Sequence, residues 1–279
     1  MKFLGNLRLF ESFKYLVYLA LMVNVFLFLV QDWASADLYR SGLPLEDVIA
    51  TFAVSIDTLA WLLLLLLFEL ETYQIPDEKL TPRLMGVLLL MRTICYCSIV
   101  YAFYGYIVKT LGFSGYELAP VYEPCKDAVG KLVLLKDLDE YSPITAATCS
   151  AIKDSALYIN PGINALATET TLRDSILLAW LDVINAGTWI LVVVFLELDV
   201  WLLRRGWIGG LIEKFSNISK YLIYSVLVLI ALYWGVFSTF LNFWDAFLWI
   251  VAFVFIERNV IEWERELEEA ESHVNKSTE

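Results

Sequence analysis

Histidine is all but missing from this 279-residue chain: His273, close to the C-terminus, is the single one. Haem ligation, histidine-based zinc sites and imidazole acid–base catalysis have almost nothing to work with. Basic side chains are scarce as well. Lys and Arg number 20 against 32 Asp and Glu, for a net charge of −12. Without a basic stripe to neutralise phosphates, nucleic acid is excluded as a partner, and so is a polybasic anchor on anionic lipid. The four cysteines make no metal-ligand set, and no nucleophile–base pair or phosphate-binding loop stands out. The sequence therefore predicts no enzyme, no cofactor and no metal site.

What the chain has in excess is apolar surface. Hydrophobic residues make up 59% of it, more than a soluble domain needs, so the expected class is an all-α integral membrane protein. Six apolar runs read as transmembrane helices: residues 15–30, 48–68, 84–111, 176–196, 221–240 and 245–256. The third is long for a simple span and is interrupted by Arg92. It is either tilted, or interfacial as far as a membrane boundary at Arg92. The stretch QDWASAD after the first run has the look of a signal-peptidase site, but the charged leader before it is long for a signal peptide.

Residues 112–172 form the one sizeable polar segment. Glu123-Pro124 and Ser142-Pro143 each place a proline at a possible first helical position. Asn160-Pro161-Gly162 reads as a stop, and Thr171 with Asp174 as a capping box before the fourth span. This predicts two short helices, with Cys125 on one and Cys149 on the other. The division of the chain is then 1–111 (first hairpin and third helix), 112–172 (a helical segment outside the cytoplasm), 173–256 (helices four to six) and 257–279 (an acidic C-terminal helix). Charge gives the orientation. Lys2, Arg8, Lys14, Lys79, Arg83, Arg204, Arg205 and Lys214 fall on one side, and the short loops of the other hold only Arg40. Both termini are thus expected in the cytoplasm, with the protein in the cell (plasma or inner) membrane.

One pattern recurs three times. Asp57, Trp61 and Glu69 share their spacing with Asn185, Trp189 and Glu197, and with Asp245, Trp249 and Glu257. Each apolar run is thus opened by a carboxylate or amide and closed by a glutamate. A second repeat, a basic residue followed by apolar positions and a tyrosine, opens the odd spans at Lys14, Arg92 and Lys220. Together they predict three tandem helical hairpins in pseudo-repeat around one axis.

Asp57, Asn185 (or Asp182, one turn earlier) and Asp245 fall at mid-membrane. A carboxylate there costs about 2.5–3.5 kcal/mol on insertion scales and needs a partner, water or a proton. They are candidates for a polar path, against the plainer role of hydrogen-bonding helices together. Glu69, Glu197 and Glu257 are candidates for a cytoplasmic acidic mouth or for salt bridges with Lys14, Arg92 and Lys220. Cys125 and Cys149 are expected to form a disulfide, in the compartment where such bonds persist. Val260, Trp263, Leu267 and Ala270 make a short heptad seam on which a partner subunit or a second copy would dock. The leading functional expectation is a channel or carrier for a small cation. The alternative is a non-catalytic subunit of a larger membrane assembly, docking through its acidic C-terminal helix and outer segment.

Overall fold

The architecture comes from a computed structural model, which describes residues 2–36, 48, 51–70, 75, 81–119, 123–138, 140–152, 155–204 and 211–255. Long helices dominate it: α1 (Lys2–Ala36), α2 (Ala53–Glu69), α3 (Pro82–Gly112), α6 (Glu169–Arg204), α7 (Leu211–Phe237) and α8 (Phe240–Phe255). Apolar sequence in lipid leaves backbone N–H and C=O groups without water, and a helix satisfies them within one segment. Four stretches are long and apolar enough to cross a membrane: Ser12–Ala36, Pro82–Gly115, Glu169–Phe195 and Lys214–Phe237. They mark a membrane protein. Their surfaces carry exposed Leu16, Phe26, Leu89, Leu222 and Leu229, side chains suited to contact with lipid tails. α2 has 17 residues, about 26 Å at 1.5 Å per residue, against a hydrocarbon core of about 30 Å.

α3 is one continuous helix of 31 residues, so Arg92 does not interrupt it. It starts cleanly because Pro82 occupies a first-turn position and Thr81 Oγ1 accepts from Leu84 N at 3.3 Å. α6 likewise starts earlier than the capping box at Thr171 and Asp174 predicts. Its first turn is capped from Thr168, whose Oγ1 accepts from Thr171 N at 3.3 Å.

The segment between α3 and α6 corrects the all-α expectation. The two predicted short helices exist, as α4 (Pro124–Asp127) and α5 (Ala146–Ile152), and α4 begins at the proline that signalled it. Around them, however, runs a five-stranded sheet of β1 (Glu117–Leu118), β2 (Val133–Leu135), β3 (Tyr141–Pro143), β4 (Leu157–Asn160) and β5 (Ala165–Thr168), in the order β1-β4-β5-β2-β3. Ser142-Pro143 therefore belongs to an edge strand rather than a helix start, and the cap of α5 is Thr145, whose Oγ1 accepts from Thr148 N. Asn160-Pro161-Gly162 is the turn of the β4–β5 hairpin. Asn160 Oδ1 accepts from Gly162 N at 3.0 Å, and Asn164 closes the turn at φ 52, a left-handed conformation that asparagine tolerates. β2 pairs with β5 in parallel, Val133 opposite Ala165; the other pairings are antiparallel. Beneath the sheet, Ala128, Ile144, Cys149, Ile152, Leu157 and Leu166 form one apolar cluster. Cys125 and Cys149 are at disulfide distance, Cα–Cα 5.0 Å.

The chain divides into two compact units, one of Met1–Asn24 with Tyr224–Glu279, the other of Val25–Ile223. The boundaries fall inside α1 and α7.

Candidate functional site

In the second unit the carboxylate of Asp57, one turn into α2, meets α3. Tyr106 Oη donates to Asp57 Oδ2 at 3.2 Å. Asp182 on α6 and Asp32 on α1 also lie within electrostatic reach of that hydroxyl. The packing that sets this geometry is small residues against large. Ala53 and Ala186 let α2 and α6 close on Tyr106, with Phe103, Val54 and Val183 around them. A side chain at Gly187 would meet the Phe103 ring at 3.4 Å. One turn nearer the sheet, Thr110 Oγ1 shares its one proton between Tyr106 O at 2.8 Å and Ala179 O at 3.2 Å, which fastens α3 to α6.

Asp32 has a further task. The first turn of α2 has orphan backbone donors, and its N-cap residue, Phe52, has no side-chain acceptor. Asp32 supplies one from another helix: its Oδ2 accepts from Ser55 N at 3.1 Å and from Ser55 Oγ at 2.5 Å. A carboxylate at a helix N-terminus also meets the positive end of the macrodipole.

One turn further from the sheet, the tryptophans of the first two copies of the pattern meet: the ring centres of Trp61 and Trp189 are 6.2 Å apart. Asn185, the amide of the middle copy, is half-buried on α6. The third copy belongs to the first unit. There Asn24 on α1, buried to 2% exposure, donates from Nδ2 to Asp245 Oδ1 at 2.8 Å. The indole of Trp249 hydrogen-bonds the same carboxylate, which gives the recurrent four-residue spacing a physical meaning. On a helix, i and i+4 are neighbours, so a tryptophan N–H reaches a carboxylate one turn back. The structure thus gives Asp57, Asp182 and Asp245 different surroundings: the first two share Tyr106, and the third has Asn24.

The charged ends are placed less uniformly. Lys14 and Glu69 are both buried, at 3% and 5% exposure, and Lys14 Nζ lies 5.3 Å from the centre of the Tyr15 ring. Arg92 and Lys220 are half-buried, and Glu197 falls within α6. Glu257 and the seam of Val260, Trp263, Leu267 and Ala270 lie outside the described residues. Among the described residues no group of three or more His, Cys, Asp or Glu is arranged to hold a metal ion.

Three participants escape a reading of the sequence. Asn24 was legible in principle, as an amide in the middle of an apolar run. Asp32 is masked by the hydropathy drop after Val30, although the helix continues to Ala36. Tyr106 has no signal of its own in a chain with 15 tyrosines.

Just past the C-terminal end of α3, Tyr116 packs beside Phe113 against Leu135, Ala167, Leu172 and Ala179. Its hydroxyl is buried with no hydrogen-bond partner among the described residues. Burial pushes it up to about 12, the Tyr141 hydroxyl nearby pulling weakly the other way without hydrogen-bond geometry.

Comparison with known proteins returns no matching family model, no matching curated protein and no matching solved structure.

Proposed function

We propose that this chain is a multi-pass transporter or channel that moves a small cation through its helix bundle. The reading counts α2 and α8 as spans beside the four longer helices, three hairpins in all, with both termini cytoplasmic and the sheet segment outside. The observation that carries it is the hydrogen bond from Tyr106 on α3 to Asp57 on α2, with Asp182 of α6 and Asp32 of α1 within electrostatic reach of the same hydroxyl. Intramembrane carboxylates are expensive, face protein or water, and mark ion and proton paths. A bundle that only needed adhesion would be served by neutral hydroxyls and amides. The glutamates at Glu69, Glu197 and Glu257 would then draw cations to the inner mouth.

Flux into proteoliposomes tests the reading. Asp57→Asn keeps an acceptor for Tyr106 and removes the charge; combined with Asp182→Asn it is expected to abolish most of the flux, with expression and helix content unchanged. Flux equal to wild type would sink the reading.

One observation favours a second reading, a subunit of a larger membrane assembly. The sheet ends in β1 and β3, edge strands whose open backbone groups are the usual place for another chain to pair. Unaltered flux in the variants, together with a partner that co-purifies and is lost on deleting residues 262–279, would favour it.

A further inference from the structure

We infer that water enters the bundle between α3 and α6 from the side of the sheet and reaches Asp57 and Tyr106, making the proton the cation that this site takes. The inference rests on the transport reading above and adds a route and a cargo to it.

The first observation is Ser175. It is 1% exposed, and its hydroxyl has no hydrogen-bond partner among the described residues. A serine in a helix ordinarily bonds a carbonyl one turn back; this one does not, and it is too deep to reach bulk solvent. Buried polar groups in this position are normally satisfied by an internal water with two to four partners. The second observation is its place. Ser175, Ala179, Asp182, Ala186 and Trp189 fall at alternating steps of four and three on α6, and so on one face. That face is the one α3 packs against, because Thr110 Oγ1 bonds Ala179 O and Tyr106 packs with Ala186. Ser175 therefore stands two turns outward of Asp182, about 10 Å along the axis. Ala179 separates them on that face, and its carbonyl holds the Thr110 hydroxyl, whose oxygen keeps lone pairs left to accept. The third observation is Tyr116. Its orphaned hydroxyl packs on the same apolar cluster as Leu172 and Ala179, the α6 residues that flank Ser175.

The groups along this line are hydroxyls and carboxylates met one after another, each able to accept a proton while giving one up. Such a file with interposed water passes protons by exchanging O–H bonds. A divalent cation such as Ca²⁺ takes six to eight oxygens, and the described residues gather no group of three or more Asp, Glu, His or Cys that could hold one. A proton arriving from the water side forms an O–H bond on Asp57 or Asp182 and turns the anion into a neutral acid; release toward the other side breaks that bond and restores the carboxylate. No other bond changes.

Ser175→Ala and Tyr116→Phe each remove a single oxygen and keep the shape. The test is radiolytic hydroxyl-radical footprinting of the full chain in proteoliposomes, which labels side chains beside ordered internal water, paired with light-scattering and pH-dye flux assays. The expected result is labelling of Tyr106 in wild type, a several-fold loss of that labelling in Ser175→Ala, a parallel loss of proton flux, and no rise in Tm. Unlabelled Tyr106, labelling unchanged in Ser175→Ala, or a raised Tm in both variants would overturn the route, since removing a dry orphan hydroxyl stabilises a protein. Labelling as expected with wild-type flux of another cation but none of protons would overturn the cargo and leave transport standing. Labelling without flux of any cation would remove the transport reading itself, while the water route stood.

Discussion

A carboxylate among apolar helices needs a donor, and the donor it finds decides what its loss does. Asn24 is held in that way by Asp245. Asp245→Leu leaves the Asn24 amide without its acceptor and is expected to cost about 1–3 kcal/mol, while the double variant with Asn24→Leu recovers most of that loss. Thermal unfolding in detergent of the two singles and the double measures the coupling, and simple additivity would show that the pair contributes nothing of its own. Tyr116 makes the opposite kind of prediction. Its hydroxyl is held neutral by burial up to about 12, against an ordinary value of 10.0. A group whose pKa is raised on folding contributes stability that is fully present below the unfolded value and fades as pH rises through the folded one. The sheet segment should therefore lose stability between pH 10 and about 12. Tyr116→Phe should remove that part of the alkaline dependence, as seen by near-ultraviolet circular dichroism.

Among the elements, the long helices were legible because each carries a long apolar run; most outlast it where polar residues continue the helix, whereas α7 stops at Phe237, short of the expected 240. Ser12–Ala36 outlasts the run at 15–30 because Gln31, Asp32 and Trp33 suit an interface as well as a loop. The sheet was not legible. Its strands are two to four residues long, too short for alternation to register, and β2 finds its parallel partner β5 across some thirty residues of chain. The cysteines were legible because their spacing and polar context are local facts. Closing a loop of 24 residues stabilises by roughly 3 kcal/mol in the chain-entropy account. Replacing both cysteines with alanine should lower the stability of the sheet segment by about that much. Protease susceptibility within residues 113–168 would report it, and equal resistance with and without the bridge would count against a structural role.

At the scale of the whole molecule the sequence repeat translated unevenly. Trp61 lies against Trp189 and Asp245 has its Trp249, yet the pattern did not foretell that Tyr106 would donate to Asp57, because that contact depends on Ala53 and Ala186 packing on Tyr106. The strand order has a consequence for biosynthesis. A chain emerging N-terminus first delivers β1, β2 and β3 before β4 and β5, the strands that join them. Assembly of the sheet must wait for the last of its pieces. During that wait Cys149 still lacks Leu157 and Leu166, two of the residues that will cover it. The Cys149 thiol is thus open to its partner Cys125 while the domain is incomplete, and is covered once the chain has emerged past residue 168 and β4 and β5 are in place.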